Sequence, residues 1–362
     1  MKNSMEHTIS QYIPPIGESL ALYKGKEVVE RIGEHIIKDV VTSILCGGNV
    51  RSLTEGLTRR RLALSNASLL VTFLHAHAQI DNFIETMPSL VKQELLTNIS
   101  PEKKMFLQWF VGLTGKSIQN VLRNSDEEFD KYMKTVEDAL RQSIESCRVD
   151  FGRLQGILQL DDVECAVDWP FILYLFTAIG AQTLSIRGSE KSMYGKMFEK
   201  LLLGSLLTIL GFKLIDPTDS SRMKKVFWLS SRGDKRESDA TLLYKPGVGV
   251  RFDIGFIGPG NTEISLDKVS RFEREMEHGR QNHYMSTIII VDRIGEKSRI
   301  VDMANAIDGN VVQMSMAYWV KDVCKILKER IHFKHRVLNI SNEKFREYIS
   351  KQMKIMNLSQ FL

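Results

Sequence analysis

Along residues 16–46, apolar positions recur at helical spacing. Val28, Val29, Ile32, Ile36 and Ile37 sit among charged residues, and Cys46–Gly47–Gly48–Asn49 interrupts the run. Residues 62–85 and 90–98 repeat the pattern, and Pro101–Glu102 opens a further helix through Phe106, Trp109 and Phe110. No proline occurs between Pro101 and Pro170, and in that interval Phe129, Met133, Val136, Leu140 and Ile144 keep the helical period. Residues 1–185 are therefore expected to form an α-helical N-terminal domain.

The pattern changes near Arg187–Gly188–Ser189. Ser189 or Ser192 can cap a helix through Tyr194, Phe198, Leu202 and Leu206, which Gly211 ends. Strand-like runs then cluster at 226–230, 240–244, 248–257, 263–266 and 286–292, with turn signals at Lys245–Pro246–Gly247 and Gly258–Pro259–Gly260–Asn261. A helix is expected over 267–278, with Val269, Phe272 and Met276 on one face, then a strand at 310–314 and a helical C-terminus. The order predicts a mixed-sheet α/β core over residues 186–362.

Composition narrows the class. A chain of 362 residues that is 43% hydrophobic and 26% charged has the material for two folded domains, which excludes long disorder and collagen-like or disulfide-scaffold architectures. The most apolar stretch, 169–184, falls short of the roughly twenty residues of a membrane span and contains Pro170 and Gln182, so a buried helix is expected there and no membrane partner. The N-terminal MKNSMEHTISQYIPP has no apolar run or small-residue cleavage site, so no secretory signal is expected. Cys46, Cys147, Cys165 and Cys324 are scattered without a CxxC pair, which argues against a zinc knuckle and fits a reducing cytoplasm.

Several short motifs fail. Gly115–Lys116–Ser117 has Phe110 where a phosphate loop needs glycine, and no strand precedes it. His75 and His77, two apart in a helical run, face apart and cannot share a metal. His278, Asn282 and His283 carry only a weak trace of an HNH nuclease. Arg59–Arg60–Arg61 reads equally as a phosphate contact or a solvated helix end.

The net charge of +5 is mild, but its distribution changes the picture. Arg187 to Arg299 carries 20 basic and 15 acidic residues, and the rest of the chain 29 of each, so the whole excess lies in one stretch. A basic face there suits a polyanion, although charge alone decides nothing. Inside it runs RFDIGFIGPGNTEISLDK from Arg251. Asp253 lies in a strand-like run and Glu263 follows a glycine-rich turn. A hairpin would set the two carboxylates side by side, where mutual repulsion favours a divalent cation and hard oxygen ligands favour Mg²⁺. Lys268, Asp239 (in RESDATLLY) and Glu199 are candidates to converge on the same face. The plainer reading makes Asp253 and Glu263 strand-edge acids beside a solvated turn, and Glu199 an exposed helix position. An acid between Phe252 and Ile254 is harder to dismiss, because a buried carboxylate needs partners.

From Arg187 to Asp292 this arrangement resembles the PD-(D/E)xK nuclease superfamily: a helix with an acid (Glu199), a meander carrying acids, a helix and a further strand. Asp253 and Glu263 match the two acids of the motif, while Ser265 occupies the lysine position, with Lys268, or Lys245 across the turn, as the substitute. A second register pairs Asp239 with Asp253 and leaves Gly255 at the lysine position. It needs a longer gap and lacks the lysine, so the first register is preferred. Within the superfamily, RESDATLLY followed by RFDIGFIGPGNTEISLDKVSRFERE resembles the CfrBI-type group of type II restriction endonucleases.

That resemblance implies Mg²⁺-dependent hydrolysis of double-stranded DNA to 5′-phosphates, at a CCWWGG-like palindrome and by a C₂ homodimer. It assigns the metal to Asp253, Glu263 and the Ile264 carbonyl, while Arg222, Lys224, Lys225, Arg232, Lys235 and Arg236, which flank the core strands, are candidates for phosphate or base contacts. A non-catalytic α/β module that binds nucleic acid or protein is the alternative, and a nuclease of RNA or repair substrates is a third reading.

Overall fold

The structure is a computed structural model that describes residues 8–22, 26–115, 126–216, 218, 224–230, 238–255, 285–292 and 309–362. The chain divides into two compact units, Met1–Lys24 with Gly56–Ser192 and Gly25–Glu55 with Met193–Leu362. The expected division at 185/186 thus falls at Ser192, and residues 25–55 join the sheet-bearing unit.

The first unit holds α1 (Pro15–Ala21), α4 (Val50–Gln79, entering the unit at Gly56), α5 (Phe83–Leu96), α6 (Pro101–Phe110) and α7 (Asp126–Phe151). Pro15 and Pro101 stand in the first helical turn, where a missing N–H costs nothing, and the Ser100 hydroxyl accepts the Lys103 N–H. Phe73, Phe83, Phe106, Trp109, Phe110 and Phe171 are fully buried, and the Phe73 and Phe110 rings stack at 4.4 Å. His75 sits edge-on to Tyr12, and His77 edge-on to Phe83 and Phe171, so both histidines pack among aromatic rings. Arg59 and Arg60 are exposed, but Arg61 is buried and donates to the Leu20 and Ala21 carbonyls at the end of α1. This cation therefore stabilises a helix C-terminus instead of lying in solvent.

Three expectations fail in this unit. A hairpin of β1 (Gly156–Leu160) and β2 (Val163–Val167) interrupts the helices, turning at Asp161 with φ +52°. Its first strand is almost wholly exposed, so it shows no buried alternation for a sequence pattern to reveal. The break expected at Arg187–Gly188–Ser189 is absent: α8 runs unbroken from Trp169 to Ile209. No proline interrupts it past its first turn, so no helix starts at Ser189 or Ser192. Nor is 169–184 simply buried, since Phe176 is 59% and Leu184 70% exposed.

The second unit contains α2 (Lys26–Ile32), α3 (Glu34–Leu45) and a six-stranded sheet. Its strands are β3 (Lys213–Leu214), β4 (Val226–Leu229), β5 (Ala240–Lys245), β6 (Val248–Gly255), β7 (Met285–Val291) and β8 (Gly309–Gln313), in sequential spatial order. Strands β4, β5 and β6 form an antiparallel meander, whereas β6–β7–β8 and β3–β4 are parallel. This is the expected mixed α/β fold. Parallel strands are covered on both faces, which explains the continuous burial of Ile288–Val291. Two helices, α9 (Trp319–Ile331) and α10 (Asn342–Lys354), end the chain. The Trp319 indole N–H donates to the Ile44 carbonyl at the end of α3. The strand expected at 263–266 and the helix at 267–278 lie outside the described residues.

Candidate active site

Strand β6 is central, and its residues from Phe252 to Gly255 are all buried. Alternation puts Phe252 and Ile254 on one sheet face and Arg251, Asp253 and Gly255 on the other. Asp253 is 6% exposed, an unusual place for a carboxylate without a task. On one side Asp253 pairs with Ile289 of the parallel strand β7. On the other side Ala240 pairs with Phe252, and continuing that register brings Asp239 opposite Asp253.

One hydrogen bond fixes this apposition: the Ile254 N–H donates to the Asp239 carboxylate Oδ2 at 2.8 Å. The Asp239 carbonyl also accepts the Ser230 N–H at 3.1 Å, tying the end of β4 to the same point. Opposed residues of antiparallel strands share a face, with Cβ atoms about 5 Å apart. Two carboxylates thus share one face near the carboxyl end of β6, where the parallel strands β6, β7 and β8 also end. Open α/β sheets bind ligands beyond the carboxyl ends of their strands.

Asp253 pairs with Ile289 on one side, and on the other the Ile254 N–H brings in the Asp239 carboxylate. The register that sequence reasoning ranked second, Asp239 with Asp253, is thus brought together among the described residues, and the hairpin expected to carry Glu263 lies outside them. Glu263, Ile264, Ser265 and Lys268 lie outside the described residues, as do Arg222, Arg232, Lys235 and Arg236. Glu199 is half-buried on α8. Lys224 and Lys225 are exposed before β4, and the Lys225 N–H donates to the Tyr244 carbonyl. They stand with Lys245 at the far end of the meander from Asp253. Lys245 pairs with Val248, five residues or about 16 Å along the strand from Asp253, beyond a lysine's reach.

Sequence reasoning passed over Arg251, which lies two residues before Asp253 on the same face, in register with Thr241 and Thr287. The signal was available in the period-two alternation. At Gly255, the lysine position of this register, an added Cβ would meet no atom of the described residues within 4 Å.

The donors are hard anionic oxygens on rigid strands, which suits a small divalent cation such as Mg²⁺; among the described residues no group of three or more His, Cys, Asp or Glu side chains gathers to hold one. The sequence profile of the CfrBI restriction endonuclease family matches residues 34–299, a span that contains both acids. The chain belongs to this family. It is similar to the type II restriction enzyme CfrBI of Citrobacter freundii, with 43% identity over 316 residues that cover 87% of each chain. No solved structure matches it. Family membership bears out the CfrBI-type resemblance of the RESDATLLY and RFDIGFIGPG segments, and makes the protein a site-specific deoxyribonuclease by class.

Proposed function

We propose that the protein is a type II restriction endonuclease that hydrolyses phosphodiesters of double-stranded DNA with Mg²⁺, at a site built on Asp239 and Asp253. The observation that carries this reading is the bond from the Ile254 N–H to Asp239, which brings the second acid to the strand of Asp253. The two carboxylates, with the Ile254 carbonyl, would hold the ion. Bound there, it would lower the pKa of an attacking water and offset charge on the scissile phosphate. Asp239 does two jobs, since one of its oxygens accepts the strand N–H and keeps the carboxylate oriented. Asp253, held in a strand with both neighbours in place, loses no orientation when substrate arrives.

The Gly255 position supplies no cation, so charge on the transition state needs another source. Lys268 is the proposed group, with Ser265 and Glu263 close to it in sequence and Glu199 as an accessory acid. Arg222, Lys224, Lys225, Arg232, Lys235 and Arg236 would supply phosphate contacts. A palindrome resembling CCWWGG, cut by a homodimer in the cytoplasm to leave 5′-phosphates, completes the reading.

The test is plasmid digestion with Mg²⁺, with EDTA as control, followed by mapping and end-labelling of the products. Discrete bands lost in EDTA are expected, with 5′-phosphate ends. No cutting under any divalent cation would leave a non-catalytic DNA-binding module. A smear without discrete bands would point to a non-specific or repair nuclease.

A further inference from the structure

Helix α8 carries no charged residue from Trp169 to Ile186. One side of it builds the first unit's core through Phe171, Leu175, Ala178 and Ile186, all buried. The opposite side presents Leu173, Phe176, Gly180 and Leu184, which helical geometry sets in one stripe. Phe176, Gly180 and Leu184 are exposed. A helix on the outside of a protein ordinarily carries charged and polar residues on its solvent side. An apolar stripe about three turns long marks a covered face.

We propose that this stripe is covered by the same stripe of a second copy, packed antiparallel about a two-fold axis at Gly180. This names the surface that pairs the protomers and rests on the dimer in the proposed function. Three observations select that occupant. The stripe is symmetric in sequence about Gly180: Phe176 is four residues before it and Leu184 four after. In an antiparallel pair each Phe176 therefore meets the partner's Leu184, as an isologous interface demands. At Gly180 an added Cβ would meet no atom within 4 Å, so the chain has open space where two helices would approach most closely.

The second observation is the continuity of the apolar surface. The same unit exposes Val149 and Phe151 at the end of α7 and Ile157 and Leu158 in the hairpin. Phe151 sits 6.2 Å from Trp169 at the start of α8, so its exposed ring adjoins the stripe. With Phe176 and Leu184, the exposed Phe151 ring extends the apolar surface along the stripe. The third is charge. Residues 145–168 hold six acids against two arginines, and the stripe itself has none of either. A polyanion is the wrong occupant. Antiparallel packing would instead bring this acidic end toward Arg187 at the other end of the partner's stripe.

Sedimentation velocity of the full chain, without DNA or metal, tests the surface. The wild type is expected to sediment at twice the chain mass at micromolar concentration. Leu184→Glu should raise the dimer dissociation constant at least about 100-fold. Gly180→Leu is the sharper variant: the monomer has room for the side chain and gains helix propensity, so its melting temperature should hold or rise while the dimer weakens. A wild type that stays monomeric at about 50 μM overturns the proposal, and so do variants as dimeric as the wild type. A monomeric wild type that floats with phosphatidylcholine vesicles would assign the stripe to a lipid surface and overturn it equally. Because the readout needs neither DNA nor metal, a failure here is distinct from a failure of the nuclease reading, which plasmid digestion reports.

Discussion

The Asp239 carboxylate accepts the backbone N–H of Ile254 at 2.8 Å, which holds an acid at the mouth of β5 against the residue that follows Asp253. Fourteen positions separate Asp239 from Asp253 along the chain, and the β5–β6 meander returns them to neighbouring places on one sheet face.

The two registers predict different mutants. Asp239→Asn keeps an oxygen to accept the Ile254 N–H but removes the charge, so folding and DNA binding should survive. If Asp239 and Asp253 hold the ion, Asp239→Asn and Asp253→Asn should each lower plasmid cleavage by about 10²- to 10³-fold, in the range for loss of one key electrostatic group. Gel-shift affinity should stay level or tighten, because a negative charge facing phosphate is gone. Normal cutting by Asp239→Asn alongside a dead Glu263→Ala would restore the hairpin register.

The missing lysine gives a second comparison. Lys268→Ala should cut at least about 100-fold more slowly with DNA binding retained, whereas Ser265→Ala should be mild. Lys245→Ala should cut at nearly the wild-type rate, because Lys245 stands at the opposite end of β5 and β6 from Asp253. Single-turnover cleavage rates measure this, and a dead Lys245→Ala would sink the strand geometry.

The N-terminal segment is secured by one buried acid. Glu94 on α5 accepts the N–H groups of Ile9 and, at 3.0 Å, Ser10, which open the short 3-10 turn Ile9–Tyr12. Glu94→Ala leaves two backbone donors without that acceptor and should destabilise the chain by about 2–4 kcal/mol, read as a lower midpoint in urea unfolding. Glu94→Gln keeps one acceptor oxygen and should lose about half as much.

Thiol chemistry should follow burial. Desolvation pushes the Cys165 and Cys324 thiols up to about 11, from the ordinary value near 9.0. Both should resist alkylation at pH 8 in the folded chain, with half-exposed Cys147 reacting first. The sign of the linkage is that folding favours the protonated thiols. Their contribution to stability is whole below the unfolded value and is lost as pH rises from about 9 toward 11. Mass mapping of iodoacetamide adducts, with and without urea, checks the order of reaction.

Local pattern was enough for much of this protein. The period of Phe129, Met133, Val136, Leu140 and Ile144 became one face of α7, and the runs around Val226, Ala240, Val248 and Ile288 became β4 to β7. Both signals are local, because burying one face of a helix or strand depends on which residues recur, not on what they meet. The RESDATLLY and RFDIGFIGPG segments likewise carried the family. What escaped sequence reading depends on contacts between distant residues. Strand β1 is almost wholly exposed, so no buried alternation betrays it, and the alternation of β2 spans only five residues. Arg61 looked like a solvated charge until α1 brought the Leu20 and Ala21 carbonyls to it. Spacing favoured Asp253 with Glu263 because ten residues suit a hairpin, whereas what brings Asp239 to Asp253 is the pairing register of β5 and β6, a property of the sheet that no single segment contains.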